Sequence, residues 1–260
     1  MSANFFETSA RSAIGLVRQG NEDSAFISPQ VIAVADGMGG HAAGEVASRI
    51  AVEVLQRLAP TLTAADIDED SVSDLLMHSL HSIDADIAAV TEEEIEKRGM
   101  GTTLTALLIR DKQIALLHVG DSRCYRLRGS SLEQLSNDHT VIQELLDQGA
   151  ISESEAVEHP QRSMLTQALM GSQALSIGLH IFELKAGDRF ILCSDGLSGV
   201  LTDKEIKSLV KSQTPQDAVA ALVDATYING APDNVTIVVA DLADSAPKQA
   251  EIEFFGTAAS

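Results

Sequence analysis

The sequence predicts a single α+β domain in which antiparallel strands and helices pack in layers. Residues 102–135 contain four short apolar runs separated by brief turns, a pattern typical of an antiparallel meander. Strand and helix patterns alternate elsewhere, and residues 8–243 contain no fixed repeat, low-complexity tract or linker. These observations favour a layered α+β domain over residues 1–243 rather than a doubly wound parallel sheet. Residues 244–260 mix Pro, Lys, Gln, Glu and small residues, which predicts a flexible C-terminal tail.

The N-terminal part predicts two strands and two helices. A short β-like run covers 12–17, and 31–35 is apolar throughout, as expected for a strand covered on both faces. A glycine-rich turn follows, and then a helical pattern over about 43–58, which Pro60 is expected to end. Residues 71–97 carry apolar side chains at a spacing near 3.6, which predicts a long amphipathic helix.

The rest of the chain predicts further short strands and capped helices. The predicted strands are 102–109, 113–119, 124–128, 132–135, 175–184, 189–194 and 235–240. A helix is expected over 138–148. Capping boxes at 152–155 and 202–205, and the Thr-Pro pair at 214–215, predict three more helix starts.

The charge of the chain excludes several classes of partner. It has 18 Lys and Arg against 38 Asp and Glu, a formal charge of −20. Such a charge repels nucleic-acid phosphates and anionic lipids, so we expect neither nucleic-acid nor membrane binding. A phosphate-bearing substrate would need local positive charge, which bound metal ions usually supply.

Cysteine usage and hydropathy predict a cytoplasmic protein. Cys124 and Cys193 form neither a CxxC pair nor a zinc spacing, as expected in a reducing compartment. The first residues lack the basic and apolar regions of a signal peptide, and no stretch is apolar enough to span a bilayer.

Acidic residues recur at the ends of apolar runs. They are Asp36, Asp121, Asp195 and Asp233, with Glu22 and Asp23 after the first β segment. Any one of them alone is typical of an ordinary turn with a solvated carboxylate. If the four aspartates meet, their repulsion would be expensive without a cation, and hard oxygen ligands suit Mg²⁺ or Mn²⁺ rather than zinc. The sequence by itself leaves open whether they meet.

The glycine-rich segment 37–42 has a competing interpretation. It matches G-x-G-x-x-A between a strand and a helix, the pattern of a dinucleotide-binding turn. Asp36 would place a carboxylate beside the pyrophosphate, and no second strand with an acidic residue follows about 20 residues later. We therefore interpret the glycines as allowing the backbone to approach a metal site.

Seven segments in order resemble the metal-dependent protein phosphatases of type 2C, the PPM family, in their bacterial form. They are 15–24 (GLVRQGNEDS), 34–48 (VADGMGGHAAGEVAS), 99–109 (GMGTTLTALLI), 118–127 (HVGDSRCYRL), 135–140 (LSNDHT), 192–203 (LCSDGLSGVLTD) and 233–239 (DNVTIVV). The resemblance covers about 8–242. It implies a four-layer αββα sandwich, in which two antiparallel β-sheets are flanked by helices and the metal site lies at one end.

The resemblance also implies a site with two to three Mn²⁺ or Mg²⁺ ions. Asp36 is expected to bridge two ions, and the Gly37 carbonyl to bind one of them. Asp195 and Asp233 are expected to bind the other, and Asp121 with Asp195 a third.

Further roles follow from the same resemblance. Glu22 and Asp23 match acidic residues that order metal-bound water, and Arg18 matches the arginine that holds the substrate phosphate. A guanidinium suits that role because it pairs bidentately with phosphate oxygens. Met38 stands where eukaryotic members often carry a histidine, which leaves His41 either as the general acid or as a structural residue of the glycine-rich turn.

The implied function is hydrolysis of phosphoserine and phosphothreonine by in-line attack of a water bridging two metal ions. The implied partners are phosphorylated proteins, among them a bacterial Ser/Thr kinase and its substrates, and we expect a monomer. Two alternatives remain open: a non-catalytic phosphoprotein-binding scaffold of the same fold, and a phosphatase for small phosphomonoesters.

Overall fold

Two antiparallel β-sheets with helices on both outer sides make up the fold. The computed structural model describes residues 5–39, 43–157, 159–171, 175–245 and 252–259. The strands are β1 Phe5–Ala13, β2 Asp23–Ile27, β3 Val31–Met38, β4 Gly101–Thr102, β5 Leu104–Arg110, β6 Gln113–Val119, β7 Arg123–Arg128, β8 Ser131–Gln134, β9 Leu179–Glu183, β10 Arg189–Cys193, β11 Val235–Ala243 and β12 Glu253–Gly256. The α-helices are α1 Gly44–Leu62, α2 Glu69–Glu93, α3 Val141–Asp147, α4 Glu153–Val157, α5 Asp195–Ser198, α6 Asp203–Val210 and α7 Pro215–Ile228.

The sheet order places the predicted meander across both sheets. One sheet has the order β1-β11-β10-β7-β8, and the other β12-β2-β3-β5-β6-β9, with β4 paired to β3. Hairpins join β5 to β6 and β7 to β8, and every strand pair is antiparallel. The predicted antiparallel α+β class is therefore confirmed.

Three apolar clusters separate four layers. Along β3, Val31, Ala33 and Ala35 belong to the cluster under α1 and α2, whereas Ile32 and Val34 belong to the cluster between the sheets. The third cluster packs the other sheet against α5, α6 and α7. Because successive strand residues face opposite sides, a continuous apolar run such as 31–35 serves two cores at once. The αββα sandwich expected from the resemblance is present.

The prediction that Pro60 ends the first helix is wrong. Pro60 lies inside α1, which continues to Leu62, and the Thr63 amide donates to the Ala59 carbonyl at 3.0 Å. Proline removes one helical hydrogen bond, but here it does so only in the last turn. Leu62 is fully buried, so packing favours keeping that turn helical.

The prediction that 244–260 is a flexible tail is wrong for its last part. Strand β12 pairs with β2, and a 3₁₀ turn follows at Thr257–Ala259. Phe254 packs on Phe26 with ring centroids 5.6 Å apart, and Phe255 contacts the core between the sheets. Two adjacent aromatic residues thus bury area on both faces of one short strand. Residues 246–251 and 260 lie outside the described residues.

Both cysteines are buried free thiols. Cys124 on β7 faces the core between the sheets, whereas Cys193 on the neighbouring β10 faces the core under the helices. Because they point to opposite faces of one sheet, they cannot bond to each other. Among the described helices, none is both long enough and apolar enough to cross a bilayer.

We expect Arg189 to contribute strongly to stability. Its guanidinium binds the Asp241 carboxylate at 2.6 and 2.7 Å and the Gln213 carbonyl at 2.7 Å, and Arg189 is 8% exposed. Arg189→Met should lower the free energy of unfolding by about 2–3 kcal/mol, because it leaves the buried Val210 carbonyl and the half-buried Asp241 carboxylate without their partner. Urea unfolding measures this loss. The matched control is Arg57→Met, whose ion pair with Asp86 is exposed on both sides and should contribute less than about 0.5 kcal/mol; equal losses in the two variants would contradict the expectation.

Candidate metal and phosphate site

The predicted site residues converge on one cavity of about 510 Å³ at an end of the sandwich. Those that line it are Arg18, Glu22, Asp36, Gly37, Asp121, Asp195 and Asp233. Asp23 is 1% exposed and lies behind this wall, directly opposite Asp36 in the β2–β3 pairing. His41 lies outside the described residues. The structure therefore brings the four aspartates, far apart in the chain, to the lining of one cavity.

Asp36 is held by its backbone near the end of β3. Its amide donates to the Thr103 hydroxyl at 2.9 Å, and its carbonyl accepts from the Thr103 amide at 2.9 Å and the Thr102 hydroxyl at 3.0 Å. With both main-chain groups satisfied, the carboxylate is left to face the cavity.

Gly37 lies where three backbone segments approach each other. A Cβ at this position would lie 2.2 Å from the Gly44 carbonyl oxygen and 2.4 Å from that of Glu22. The Gly37 amide also donates to the Glu22 carbonyl at 3.2 Å. Only glycine fits here, so the glycine after Asp36 reflects close backbone packing beside the cavity.

Ser194 joins the two sheets beneath the site. Its hydroxyl donates to the Asp23 carboxylate at 2.8 Å and accepts from the Thr236 amide at 2.9 Å. Asp195 follows in the first turn of α5. The next residue, Gly196, packs so closely that an added Cβ would lie 1.9 Å from the Asn234 carbonyl oxygen. The orientation of Asp195 is thus set by contacts on both sides of it.

Arg18 and Asp233 both line the cavity and form an ion pair of 2.7 Å. The second Asp233 oxygen accepts from the Asn234 amide at 2.8 Å. The Arg18 side chain is 49% exposed, so its guanidinium faces solvent at the cavity mouth while it binds Asp233.

Asn234 is a functional residue that sequence reasoning did not identify as such. Its side-chain oxygen accepts from the Glu22 amide at 2.9 Å, and its nitrogen donates to the carbonyls of Ile14 at 2.9 Å and Gly20 at 2.8 Å. It thereby holds the loop that carries Arg18 against the start of β11. The only sequence signal was its place directly after Asp233.

Two histidines support the loop that carries Asp121. The His118 ring bonds the Thr105 hydroxyl at 2.9 Å, and burial lowers its pKa to about 3. It stacks on His139, which accepts from the Gly120 amide at 3.1 Å. Both rings act as neutral packing groups that place Asp121 at the cavity.

Residues between Ser163 and Met170 form another part of the cavity wall. Leu169 pairs with Thr102 through two backbone hydrogen bonds of 2.9 Å. The amides of Met170 and Gly171 donate to the Asp84 carboxylate of α2 at 3.1 and 2.6 Å. Asp84 therefore supports this wall, although no sequence pattern distinguishes it.

The electrostatics of the cavity favour binding of positive charge. Burial, and then repulsion from Asp195 and Asp233, raises the pKa of Asp23 to about 7. Burial, and then repulsion from Asp195 and Asp138, likewise raises the pKa of Asp121 to about 7. The pKa of Asp36 is raised well above its usual range by burial, then by Asp23 and Asp195 among its neighbours. A cation would relieve repulsion that these carboxylates otherwise reduce only by binding protons.

The donor set fits Mg²⁺ or Mn²⁺. Asp36 and Asp195 both line the cavity, and burial together with repulsion from neighbouring aspartates raises the pKa of each, so a cation would stabilise their ionised forms. Within the described residues, no three His, Cys, Asp or Glu side chains form a ready-made cage around one point. Mg²⁺ usually keeps several waters and binds one or two protein carboxylates, so an open arrangement of oxygen ligands agrees with such an ion better than with zinc.

Comparison with known proteins agrees with the fold. Residues 19–244 match the family model described as protein phosphatase 2C. The serine/threonine protein phosphatase PstP of Mycobacterium tuberculosis is 42% identical over 239 residues, 90% of this chain. The chain spans only 45% of the length of that relative. The serine/threonine phosphatase stp of Listeria monocytogenes is 32% identical over 89% of this chain and 94% of its own length.

A solved structure shows the same architecture. The catalytic domain of PstP in complex with two manganese ions superposes with a TM-score of 0.84 at 39% identity, covering 92% of this chain and 99% of that one. Two antiparallel sheets flanked by helices, with an acidic cavity at one end, place the chain in the class of metal-dependent phosphatases. The chain belongs to the protein phosphatase 2C family.

Proposed function

We propose that the protein is a serine/threonine protein phosphatase that requires two to three Mn²⁺ or Mg²⁺ ions. The observation that carries the proposal is the convergence of five carboxylates and one arginine on a single cavity. The named activities of the Mycobacterium and Listeria relatives support it. By the same argument, we propose phosphorylated proteins as substrates, among them a Ser/Thr kinase and its targets, and a monomeric enzyme.

Different residues of the cavity would bind different metal ions. Asp36 would bridge two ions with the Gly37 carbonyl on one of them, and Asp195 and Asp233 would hold the other. Asp121, with Asp195, would hold a third. The bound ions would supply an activated water positioned in line with the phosphorus.

We propose that Arg18 holds the substrate phosphate. Its guanidinium lies at the cavity mouth beside Asp233, and the side chain is half exposed. It can therefore replace part of its ion pair with Asp233 by hydrogen bonds to phosphate oxygens. Glu22 lines the cavity and would orient water, whereas Asp23 adds negative charge from behind Asp36. His41, either the general acid or a structural residue of the glycine-rich turn, lies outside the described residues.

The decisive experiment measures phosphate release with and without divalent metal. A phosphothreonine peptide and p-nitrophenyl phosphate should both be hydrolysed with millimolar Mn²⁺, and EDTA should abolish the reaction. Comparing kcat/KM for a phosphoprotein with that for small metabolite monoesters tests the small-molecule alternative. Absence of turnover on every substrate despite bound Mn²⁺ would favour the scaffold alternative.

A further inference from the structure

The C-terminal strand lies against the strand that begins at the site. In the β12–β2 pairing, Gly256 lies opposite Ser24 and Phe255 opposite Ala25. The match to the family model ends at residue 244, so β12 lies outside the matched residues.

Side chains on both faces anchor β12. Phe254 and Ala258 pack on the core under α1 and α2, and Phe255 packs on the core between the sheets. The rings of Phe254 and Phe26 are 5.6 Å apart. The segment 253–259 is thus docked on the body of the domain by apolar contacts as well as by strand pairing.

A chain of hydroxyl groups runs from this segment to the site backbone. The Ser24 hydroxyl lies 2.8 Å from that of Thr257 and 3.0 Å from that of Ser48. Ser48 donates to the Glu22 carbonyl at 2.6 Å, and Thr257 donates to the Glu45 carbonyl at 3.2 Å. Each hydroxyl has one proton, so the chain is continuous when Thr257 donates to Ser24, Ser24 to Ser48 and Ser48 to the Glu22 carbonyl, and the longer contact to the Glu45 carbonyl is the alternative use of the Thr257 proton.

The end of this chain touches the cavity wall itself. The Glu22 carbonyl that accepts from Ser48 also accepts from the Gly37 amide at 3.2 Å. Gly256 approaches the same strand from the other side, with φ +69° and a position where an added Cβ would lie 2.1 Å from the Asp23 carbonyl oxygen. The docked segment and the cavity wall therefore share the backbone of residues 22–24.

We propose that segment 253–259 is a built-in clamp on the candidate metal site, with Thr257 as a positioning residue. It acts through Ser24 and Ser48 to hold the backbone around Glu22, and so keeps the Asp23 and Asp36 carboxylates in register. The metal-binding part of this inference rests on the proposed function, whereas the mechanical coupling to β2 does not.

Two variants in the full chain test the clamp. Thr257→Val removes the hydroxyl at nearly constant shape, and Gly256→Val cannot keep the observed backbone beside Asp23. The Mn²⁺ concentration for half-maximal p-nitrophenyl phosphate hydrolysis should rise about threefold in Thr257→Val and about tenfold in Gly256→Val. Such factors correspond to the net free energy of one to a few hydrogen bonds. The KM for the substrate should stay within about twofold, since no segment residue lines the cavity.

Two controls separate positioning from loss of stability. Glu253→Gln changes an exposed residue of the same segment and should leave metal saturation unchanged. Val210→Ala opens a cavity in the core under α6 and should lower Tm without moving metal saturation. A metal shift in Val210→Ala as large as that in Gly256→Val would overturn the proposal.

Hydrogen exchange in the metal-free protein tests the coupling independently of catalysis. Gly256→Val should lower the protection of the amides within 23–27 that pair with β12, while those that pair with β3 and the amides of β10 and β11 stay protected. If the wild-type protein showed no Mn²⁺-dependent turnover, the proposed function would fail, and this measurement would still decide the inference. Unchanged protection of 23–27, or lost protection with unchanged Mn²⁺ saturation in an active enzyme, would overturn it.

Discussion

Asp36→Asn is expected to abolish metal-dependent hydrolysis and, in metal-free protein, to raise stability. Asparagine keeps the shape of the side chain but removes the charge that would bridge two cations. Loss of one charge-stabilising group typically reduces kcat by ~10²–10³, so a loss of at least about 10³ in kcat/KM is expected when the bridge itself is lost. Steady-state kinetics with saturating Mn²⁺ measures this effect.

The same substitution should stabilise the fold in EDTA. Burial and the neighbouring aspartates raise the pKa of Asp36, so its ionised form is unfavourable when no cation is present. The amide relieves part of this repulsion, and we expect a gain of roughly 1–2 kcal/mol, a rise in Tm of several degrees. The matched control, Asp74→Asn on the exposed face of α2, makes the same charge change away from the cavity and should alter neither activity nor Tm. An active Asp36→Asn enzyme would remove Asp36 from the proposed metal site.

Much of the site was predictable because its residues end strands that are apolar throughout. A largely apolar strand is recognisable in a sequence, and a carboxylate just after its end lies near the edge of the sheet. Asp121 and Asp195 each lie two residues after the last residue of such a strand, β6 and β10. Asp36 departs from this pattern slightly, since β3 continues past it to Met38 and the residue lies in the strand rather than in the following turn.

The supporting residues were not predictable for a physical reason. Asn234 bonds backbone groups that lie 212 to 220 residues away in the chain. Asp84 bonds backbone amides 86 and 87 residues away, and no local sequence pattern indicates such distant partners. Strand β2 was missed because its five residues, DSAFI, show no alternation, being buried at every position. Strand β12 was missed because a run of four residues after a polar segment resembles a tail until the sheet edge that receives it is known.

The metal-free protein is expected to lose stability as pH rises from about 4 to about 7. Burial, the largest cause, raises the pKa of both Asp23 and Asp121 to about 7, and it also raises that of Asp36. Between the unfolded and folded pKa values the folded state holds more protons, so the free energy of unfolding falls as pH rises. Each such carboxyl contributes about 1.4 kcal/mol per pH unit at most, and coupling among them reduces the sum.

Mn²⁺ should reverse this dependence, because it competes with protons for the same oxygens and binds best when they are ionised. Urea unfolding in EDTA at pH 5.0 and pH 7.5 should show lower stability at the higher pH, by a few kcal/mol. Millimolar Mn²⁺ should stabilise the protein far more at pH 7.5 than at pH 5.0, since only there are the ligands free of protons. Asp36→Asn should flatten the slope in EDTA and weaken the Mn²⁺ effect, whereas Asp74→Asn should preserve both. Stability in EDTA that rises from pH 5.0 to pH 7.5 would mean that the cavity carboxylates are ionised without a cation, and that the repulsion assigned to them is absent.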